Sequence, residues 1–297
     1  MQESKQQEYC CWWSPSIGEL EGTHQEVWGT KQYDSKTDLK KPCVFFGIYH
    51  AGHFEDLYAH KGKKYILWAG SDLRNMQDGL AFGEAGFKEW PRKFPGITNL
   101  MMRWIIYNCE SWVENTWERK VLKSFNIKSY VCPSFLGDID VYNITFKPNE
   151  NPHVYLSASE GRQEEYGFDT IERIADRVPN VTFHLYGATW KTKHKNVIVH
   201  GRVSKDYMNS QIKDMQAGLR LNETDGFSEI LAKAVLQGQY AIGKVEHPMI
   251  PTYEDDNGLI LNLLAIGQKK VSNPARDYYR DVLNNYPWNK NRIRKDV

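Results

Sequence analysis

The chain has 297 residues, of which 41% are hydrophobic, and a formal net charge of +1. That length is enough to bury one large core or two ordinary ones, and we expect two. A net charge this small excludes recruitment of nucleic acid or anionic membrane by a global field, so any such binding must come from a local patch.

Targeting and cysteine signals point to a soluble protein. The N-terminal segment MQESKQQEY lacks the basic and apolar regions of a signal peptide, and apolar runs such as residues 259–266 fall far short of the ~20 residues that cross a bilayer. The five cysteines are odd in number and contain no C-x-x-C pair, which argues against a disulfide framework and a zinc site. We expect a cytoplasmic monomer with buried free thiols.

The first half of the chain alternates buried apolar runs with helical stretches, which predicts a parallel sheet. Strands are expected at residues 8–14, 42–49, 63–69 and 128–133, helices at 23–32 and 111–125, and either a strand or a helix entry at 100–107. Proline and asparagine cluster in residues 138–151, which predicts a linker. The expected domains are therefore 1–145 and 150–275, with a C-terminal helix and tail at 276–297.

The pattern of the second half predicts a more regular doubly wound unit. Strands are expected at residues 154–157, 181–186, 197–199, 217–221 and 240–243, and helices at 168–178, 205–215 and from 227 or 228 to Gly238. Asp138 and Asp140 near the linker are interpreted as turn residues rather than metal ligands.

Polar side chains follow two strands of the first half, beyond the carboxyl ends where ligands of open α/β sheets bind. His50 and His53 follow the strand at 42–49, and Asp72 follows the strand at 63–69. A His-x-x-His pair with nearby carboxylates could bind a metal, although polar histidines in a loop are more often solvated. We expect no essential metal.

Residues 219–243 contain the strongest candidate site, because a strand, a polar turn at 222–226 and a helix N-terminus follow one another. Backbone N–H groups at such a terminus lack partners in the helix and carry the positive end of its dipole, so they can hold a phosphate. Ser228 can cap the helix or donate to the same anion. The pattern alone is also typical of any strand–helix unit of an α/β domain.

The motif in this stretch adds a resemblance. Residues 225–228 (DGFS), 231–234 (LAKA) and Gly238 resemble the donor-binding segment of GT-B glycosyltransferases of the retaining, family 4-like type, and residues 68–73 (WAGSDL) resemble an acceptor-side segment of some of them. The resemblance implies two Rossmann-like doubly wound domains that face each other across a cleft. It also implies a nucleoside diphosphate sugar as co-substrate, with a UDP-sugar expected first.

The resemblance assigns roles at the diphosphate. Asp225 stands where the family has a glutamate that contacts the transferred sugar. Arg162 matches the arginine of the basic pair that neutralises the diphosphate, but Tyr166 occupies the lysine position of that pair. Backbone amides complete the expected phosphate site at Gly226, Phe227 and Ser228.

Nucleoside contacts are implied as well. Arg202 and Val203 lie in a loop that resembles the one whose backbone edges the nucleobase, and Trp190 is a candidate stacking partner. Lys233 replaces the glutamate that holds the ribose in the family. Three possibilities follow: Lys233 turns to the phosphates, Glu229 takes the ribose role from one turn earlier, or Lys233 is a solvated helix residue.

The reaction that the resemblance implies requires an acceptor hydroxyl to lose a proton. Asp72, His50 or His53 could assist, with histidine favoured by its pKa near neutrality. Retention is implied, and in such enzymes the leaving diphosphate can take the proton, so a side-chain base is optional.

For the acceptor, the short chain and its 10 Trp and 17 Tyr residues favour a stacked substrate. Compact viral GT-B enzymes glycosylate hydroxymethylated DNA bases, which must be flipped out of the duplex. Our hypothesis is a hydroxymethylpyrimidine in double-stranded DNA, with a soluble glycan or glycolipid as the alternative. The expected basic patch comprises Lys61, Lys63, Lys64, Arg92, Lys93 and Arg103. The other hypotheses are a degenerate GT-B binding protein and an epimerase or phosphorylase of the same fold.

Overall fold

A computed structural model describes residues 8–20, 22–49, 51–77, 95–290 and 292 of the chain. The chain divides into two compact units, one formed by Met1–Gly137 with Leu283–Val297 and the other by Asp138–Val282. The division falls beside the segment 138–151, where the sequence predicts the linker. No helix within the described ranges is long and apolar enough to cross a membrane.

The first unit is organised around a parallel sheet with the order β2-β1-β3-β4-β5-β6 in its described part. The strands are β1 (Cys10–Trp13), β2 (Lys31–Gln32), β3 (Cys43–Phe46), β4 (Lys64–Leu67), β5 (Cys109–Val113) and β6 (Ser129–Val131). The helices are α1 (Thr23–Trp28), α2 (Ala51–Ala59), α3 (Ser71–Gln77), α4 (Pro95–Asn108) and α5 (Thr116–Ser124), with a 3₁₀ segment at Pro15–Leu20. The side chains of β1 and β3 are all buried, because helices cover both faces of such a sheet.

The helix predicted at residues 111–125 is wrong in its first part. Cys109–Val113 form strand β5, which lies between β4 and β6 in the sheet. The helix begins only after Asn115, whose side chain accepts a hydrogen bond from the Glu118 amide at 2.9 Å. An Asn with a Glu three residues later is a helix-start signal, and it marks this boundary in the sequence.

The helix predicted at residues 23–32 is also too long. Helix α1 ends at Trp28, because Gly29 adopts a left-handed conformation with φ of 72°, which glycine tolerates and which terminates helices. The chain then forms β2, a short strand that pairs with β1. The segment 100–107, left open between strand and helix, lies in helix α4.

The second unit contains a parallel sheet with the order β11-β10-β7-β8-β9. The strands are β7 (His153–Ser157), β8 (Thr182–Tyr186), β9 (Val197–Gly201), β10 (Ala217–Arg220) and β11 (Tyr240–Gly243). The helices are α6 (Phe168–Ile174), α7 (Lys205–Ile212), α8 (Glu229–Leu236), α9 (Asp256–Gly267) and α10 (Ala275–Val282), with 3₁₀ segments at Ile139–Val141 and Ala175–Arg177. The prediction of two α/β units with parallel sheets is confirmed.

Strand β7 is the point from which the second sheet grows in both directions. It pairs with β8 on one side and with β10 on the other. The chain leaves β7 towards β8 and leaves β10 towards β11, in opposite directions, and ligands of open α/β sheets bind at such a switch point.

The C-terminal segment completes the first unit. The Tyr286 hydroxyl donates to the Cys132 carbonyl at 2.6 Å, and its ring stacks on Trp288 with centroids 4.6 Å apart. The Asn284 side chain accepts from the Phe135 amide at 2.9 Å. These buried contacts make residues 284–288 part of the core of the first unit.

Candidate functional site

The loop that leaves β7 carries Arg162 to the carboxyl edge of the second sheet. The Arg162 amide donates to the Ser159 carbonyl at 3.0 Å, which turns the chain sharply after the strand. Gly167 ends the loop with φ of +89°, and a Cβ at this position would lie 2.6 Å from the Cβ of Leu221. Only glycine permits both the conformation and the close approach. The loop is consequently held against the end of β10.

Two arginine side chains contact the ring of Tyr166. The guanidinium carbon of Arg162 lies 4.9 Å from the ring centroid, and that of Arg220 lies 4.0 Å from it. Arg162 also donates from Nε and Nη2 to the Glu165 carboxylate, at 2.8 and 2.5 Å. The loop after β7 and the end of β10 thus bring two cations against one aromatic ring.

Arg220 holds Asp225 at the turn that precedes helix α8. Its Nε donates to Asp225 Oδ2 at 2.6 Å, and Asp225 Oδ1 accepts from the Gly226 amide at 3.0 Å. The Glu165 carboxylate, with a smaller contribution from Asp225, raises the pKa of Arg162, so the Asp225 carboxylate acts on both arginines. Arg220 is not among the site residues that the sequence predicts; it is the charged last residue of the otherwise buried strand β10.

The N-terminus of helix α8 lies in the same turn. Ser228 caps the helix, because its hydroxyl accepts from the Ile230 amide at 3.2 Å. Phe227 is buried and stacks on Tyr279 with centroids 4.9 Å apart. The aromatic stack anchors the turn, and the first-turn amides of α8 have no partner within the helix. The turn therefore places the positive end of the α8 dipole at the carboxyl edge of the sheet.

Lys233 is buried rather than solvated, with 3% of its surface exposed. Its ammonium donates to Asn209 Oδ1 at 2.8 Å and pairs with Glu229 at 3.1 Å. Lys205 at the start of α7 pairs with the same Glu229 oxygen at 3.0 Å. Burial disfavours the charge of Glu229, but the two lysines outweigh it and lower the pKa of Glu229. Lys233 thus binds protein groups, and a carboxylate one turn earlier lies beside it.

The nucleobase candidates occupy the loops after β8 and β9. Trp190 is half-buried, and its ring packs edge-on against Phe168 with centroids 5.9 Å apart. Glu160 accepts from the Thr189 amide and hydroxyl, both at 3.0 Å, and so ties the loop after β7 to the loop after β8. Arg202, which is exposed, and Val203, which is half-buried, follow β9 directly. Their contacts with a nucleobase stay predictions.

Three histidines form a chain across β7, β8 and β9. His153 Nδ1 lies 2.9 Å from His184 Nε2, and His184 Nδ1 lies 2.9 Å from His200 Nε2. Burial and the two neighbouring rings lower the pKa of His184 to about 4. No group of three or more His, Cys, Asp or Glu within the described ranges is arranged to hold a metal ion.

The acceptor-side candidates lie inside the first unit. Asp72 is fully buried, and its carboxylate accepts from the amides of Ile48, Ala69 and Leu73 at 2.7–3.2 Å. Burial outweighs these hydrogen bonds and raises the pKa of Asp72 to about 7. His53 is also buried. His50 lies outside the described residues.

His53 occupies helix α2 rather than the predicted loop. Its Nδ1 accepts from the Tyr49 amide at 3.3 Å and lies 3.3 Å from the Ser14 hydroxyl. Its ring packs edge-on against Trp12 with centroids 5.1 Å apart. The proposed base is therefore enclosed by its own unit.

A second buried acid lies near Asp72. Glu118 is fully buried, and its Oε2 accepts from the Glu114 amide at 2.5 Å. Burial, together with the neighbouring Glu114 and Asp72 carboxylates, raises the pKa of Glu118 well above its ordinary value. The folded unit therefore retains protons near neutral pH that the unfolded chain would release.

Comparison with solved structures identifies the fold class. Sucrose-phosphate synthase from Thermosynechococcus elongatus is 11% identical, with 91% of this chain and 74% of that chain covered and a TM-score of 0.56. The lipopolysaccharide outer core galactosyltransferase WaaB is 14% identical, with 82% and 71% covered and a TM-score of 0.55. TarM is 14% identical, with 76% and 48% covered and a TM-score of 0.52.

These similarities establish that the chain has the GT-B fold, as the sequence predicts. The chain spans about half the length of TarM. At the level of sequence, no protein-family model matches the chain, and no curated protein matches it significantly.

The buried acids generate a prediction about pH. Their raised pKa values mean that the folded state binds more protons than the unfolded state at pH values between the unfolded-state and folded-state pKa, so stability should fall as pH rises up to the folded-state pKa. The slope is about 1.4 kcal/mol per pH unit for each proton that differs. We expect thermal stability to fall as pH rises above 6.5, and Glu118→Gln to flatten that fall.

The range begins at pH 6.5 because His184, whose pKa is lowered from 6.5 to about 4, contributes the opposite slope below that value. Thermal unfolding of wild type, Glu118→Gln and the exposed control Glu164→Gln would measure the effect. Parallel stability curves for wild type and Glu118→Gln would contradict the prediction.

Proposed function

We propose that the chain is a glycosyltransferase whose second unit binds a nucleoside diphosphate sugar, with a UDP-sugar as the first candidate, and whose first unit binds the acceptor. The observation that carries the proposal is the set of contacts that joins Arg162 through Tyr166, Arg220 and Asp225 to the N-terminus of α8 at the carboxyl edge of the second sheet. A diphosphate leaving group develops negative charge, which a fixed cation and preorganised amides stabilise.

The GT-B neighbours support the choice of donor. WaaB is a galactosyltransferase, and a TarM variant with a TM-score of 0.50 was solved in complex with UDP. In this chain the diphosphate would contact Arg162 and the amides of Gly226, Phe227 and Ser228. Asp225 would contact the transferred sugar.

Glu229 is our candidate for the ribose hydroxyls. Lys233 occupies the usual glutamate position, but it is buried and bound to Asn209 and Glu229. Because Lys205 and Lys233 share one Glu229 oxygen, the other oxygen can accept from a hydroxyl. Arg202 and Val203 would edge the base, with Trp190 nearby.

We propose transfer with retention. The bond between the sugar anomeric carbon and the diphosphate oxygen breaks, the acceptor oxygen bonds to that carbon, and the acceptor proton moves to the leaving diphosphate. The burial of Asp72 and His53 supports a route that needs neither side chain as a base.

Nucleotide-sugar turnover separates this proposal from a binding protein or an epimerase. Incubation with UDP-, GDP- and ADP-sugars should release the nucleoside diphosphate slowly even without acceptor. Binding without release would favour the degenerate binding protein. Conversion to another nucleotide sugar would favour an epimerase.

For the acceptor we propose a hydroxymethylpyrimidine in double-stranded DNA. Lys61 and Arg103 are exposed in the first unit, as are Tyr58 (58%) and Tyr107 (84%), and proteins bind single nucleotides through cations that contact phosphates and aromatic rings that stack on bases. Lys63 pairs with Glu110 and the Lys64 ammonium lies over Trp104, and Arg92 and Lys93 lie outside the described residues. A soluble glycan or glycolipid is the alternative.

The acceptor prediction is sugar transfer to hydroxymethylated DNA but not to unmodified DNA. Reactions with a mixture of donors would be read by nucleoside mass spectrometry, with a gel shift at low and high salt alongside. We expect a glycosylated nucleoside and binding that weakens with salt. Absence of both would reject DNA and direct the search to glycans.

The donor prediction concerns Arg162. Removing a charge-assisted hydrogen bond should cost about 1.5–3 kcal/mol of nucleotide binding, so Arg162→Ala should weaken UDP binding by that amount in calorimetry. Glu165→Gln should tighten it, because Glu165 competes with phosphate for the same guanidinium. Arg177→Ala, remote from the site, is the control. Unchanged UDP affinity in Arg162→Ala would refute the assignment.

A further inference from the structure

Tyr166 leaves the expected diphosphate site one cation short. We propose that Arg220, from the neighbouring strand, supplies the second cation for the diphosphate, and that Tyr166 positions its guanidinium. This inference rests on the proposed donor site and adds a residue that neither the sequence motif nor the resemblance indicates.

Arg220 has N–H donors beyond the one that binds Asp225. Its Nε is bonded to Asp225 at 2.6 Å, whereas the terminal nitrogens of its guanidinium have no hydrogen-bond partner among the residues that the structure describes. A guanidinium carries five N–H donors in a planar fork, so the terminal N–H groups can bind a phosphate while Nε keeps Asp225. The Arg220 side chain is 17% exposed, which keeps the cation partly shielded from competing water.

The position of Arg220 suits a diphosphate. It ends β10, whereas Arg162 lies in the loop after the adjacent β7. Both guanidinium carbons lie within 5 Å of the Tyr166 centroid, so the two cations lie beside one ring. Asp225 joins Arg220 to the Gly226 amide at the turn before α8. The two cations and the turn before α8 thus lie close together at the carboxyl edge of the sheet, where a diphosphate could contact both.

Tyr166 has a role of its own in this arrangement. A guanidinium stacked at 4.0 Å over an aromatic ring is held electrostatically and loses rotational freedom before the ligand arrives. A lysine at position 166 would bring its own charge, whereas a tyrosine orients the charge of Arg220. In this chain the second cation thus comes from the end of β10 instead of from the loop after β7.

Arg220 also connects two parts of the reaction. Its Nε orients Asp225, the residue proposed to contact the transferred sugar, and its remaining donors face the leaving group. A role confined to neutralising Asp225 would leave UDP affinity unchanged when both residues are made neutral, as in Arg220→Gln with Asp225→Asn, because no uncompensated carboxylate would remain beside the diphosphate. Diphosphate affinity therefore separates the two roles.

The test is calorimetry with UDP and with uridine, which lacks the diphosphate. Arg220→Ala should weaken UDP binding by about 10- to 100-fold, the loss expected for a charge-assisted hydrogen bond, and leave uridine binding unchanged. Arg220→Gln, whose amide can still donate to Asp225, should show the same loss and covers the case in which the alanine variant does not fold. Arg177→Ala, which removes one arginine elsewhere in the same unit, should match wild type.

A rescue variant sharpens the test. Introducing the missing cation by Tyr166→Lys in the Arg220→Gln background should restore most of the UDP affinity. UDP affinity unchanged in Arg220→Gln, equal losses of UDP and uridine, or no recovery in the double variant would each overturn the inference. Failure of wild type to bind UDP, GDP or ADP would instead overturn the proposed function itself.

Discussion

The pairing of β7 with β10 is the constraint on which the candidate site depends. The two strands are parallel neighbours, so their carboxyl ends meet at one edge although their loops are far apart in sequence. Arg162 follows the first strand and Arg220 ends the second. Gly167 allows the first loop to lie against Leu221 just beyond β10. A one-residue change of register would turn the Arg220 side chain to the other face of the sheet.

Packing fixes the chemistry of the rest of the site. Phe227, stacked on Tyr279, fixes the turn that exposes the first amides of α8. Glu229 remains ionised at the start of that helix because Lys205 and Lys233 flank it. Buried apolar contacts thus hold an exposed, charged edge in place. In the first unit the ionisable group is enclosed rather than exposed, because burial keeps the carboxyl group of Asp72 away from solvent.

Much of this architecture is predictable from sequence, and the failures have physical causes. Strands such as β3 and β11 can be recognised in the sequence, because both of their faces are covered and their residues therefore form continuous apolar runs. The first part of the helix predicted at 111–125 is strand β5 because Val113, Trp117 and Val121 recur at helical spacing although only the last two lie in the helix. The burial of Lys233 and the contact of Arg220 with Tyr166 depend on residues distant in sequence, so no local pattern could predict either. Asp72 shows the converse: its motif predicts an active-site acid, whereas the fold uses it to bind backbone amides.

The most direct test of the account is hydrogen–deuterium exchange of the whole chain with and without UDP. The central claim is that the diphosphate binds at the carboxyl edge of the second sheet, between the loop after β7 and the turn before α8. UDP should therefore slow exchange in residues 160–166 and 226–230 and leave strands β3 to β5 of the first unit unaffected. Slower exchange confined to the first unit, or none at residues 226–230 under saturating UDP, would contradict the claim.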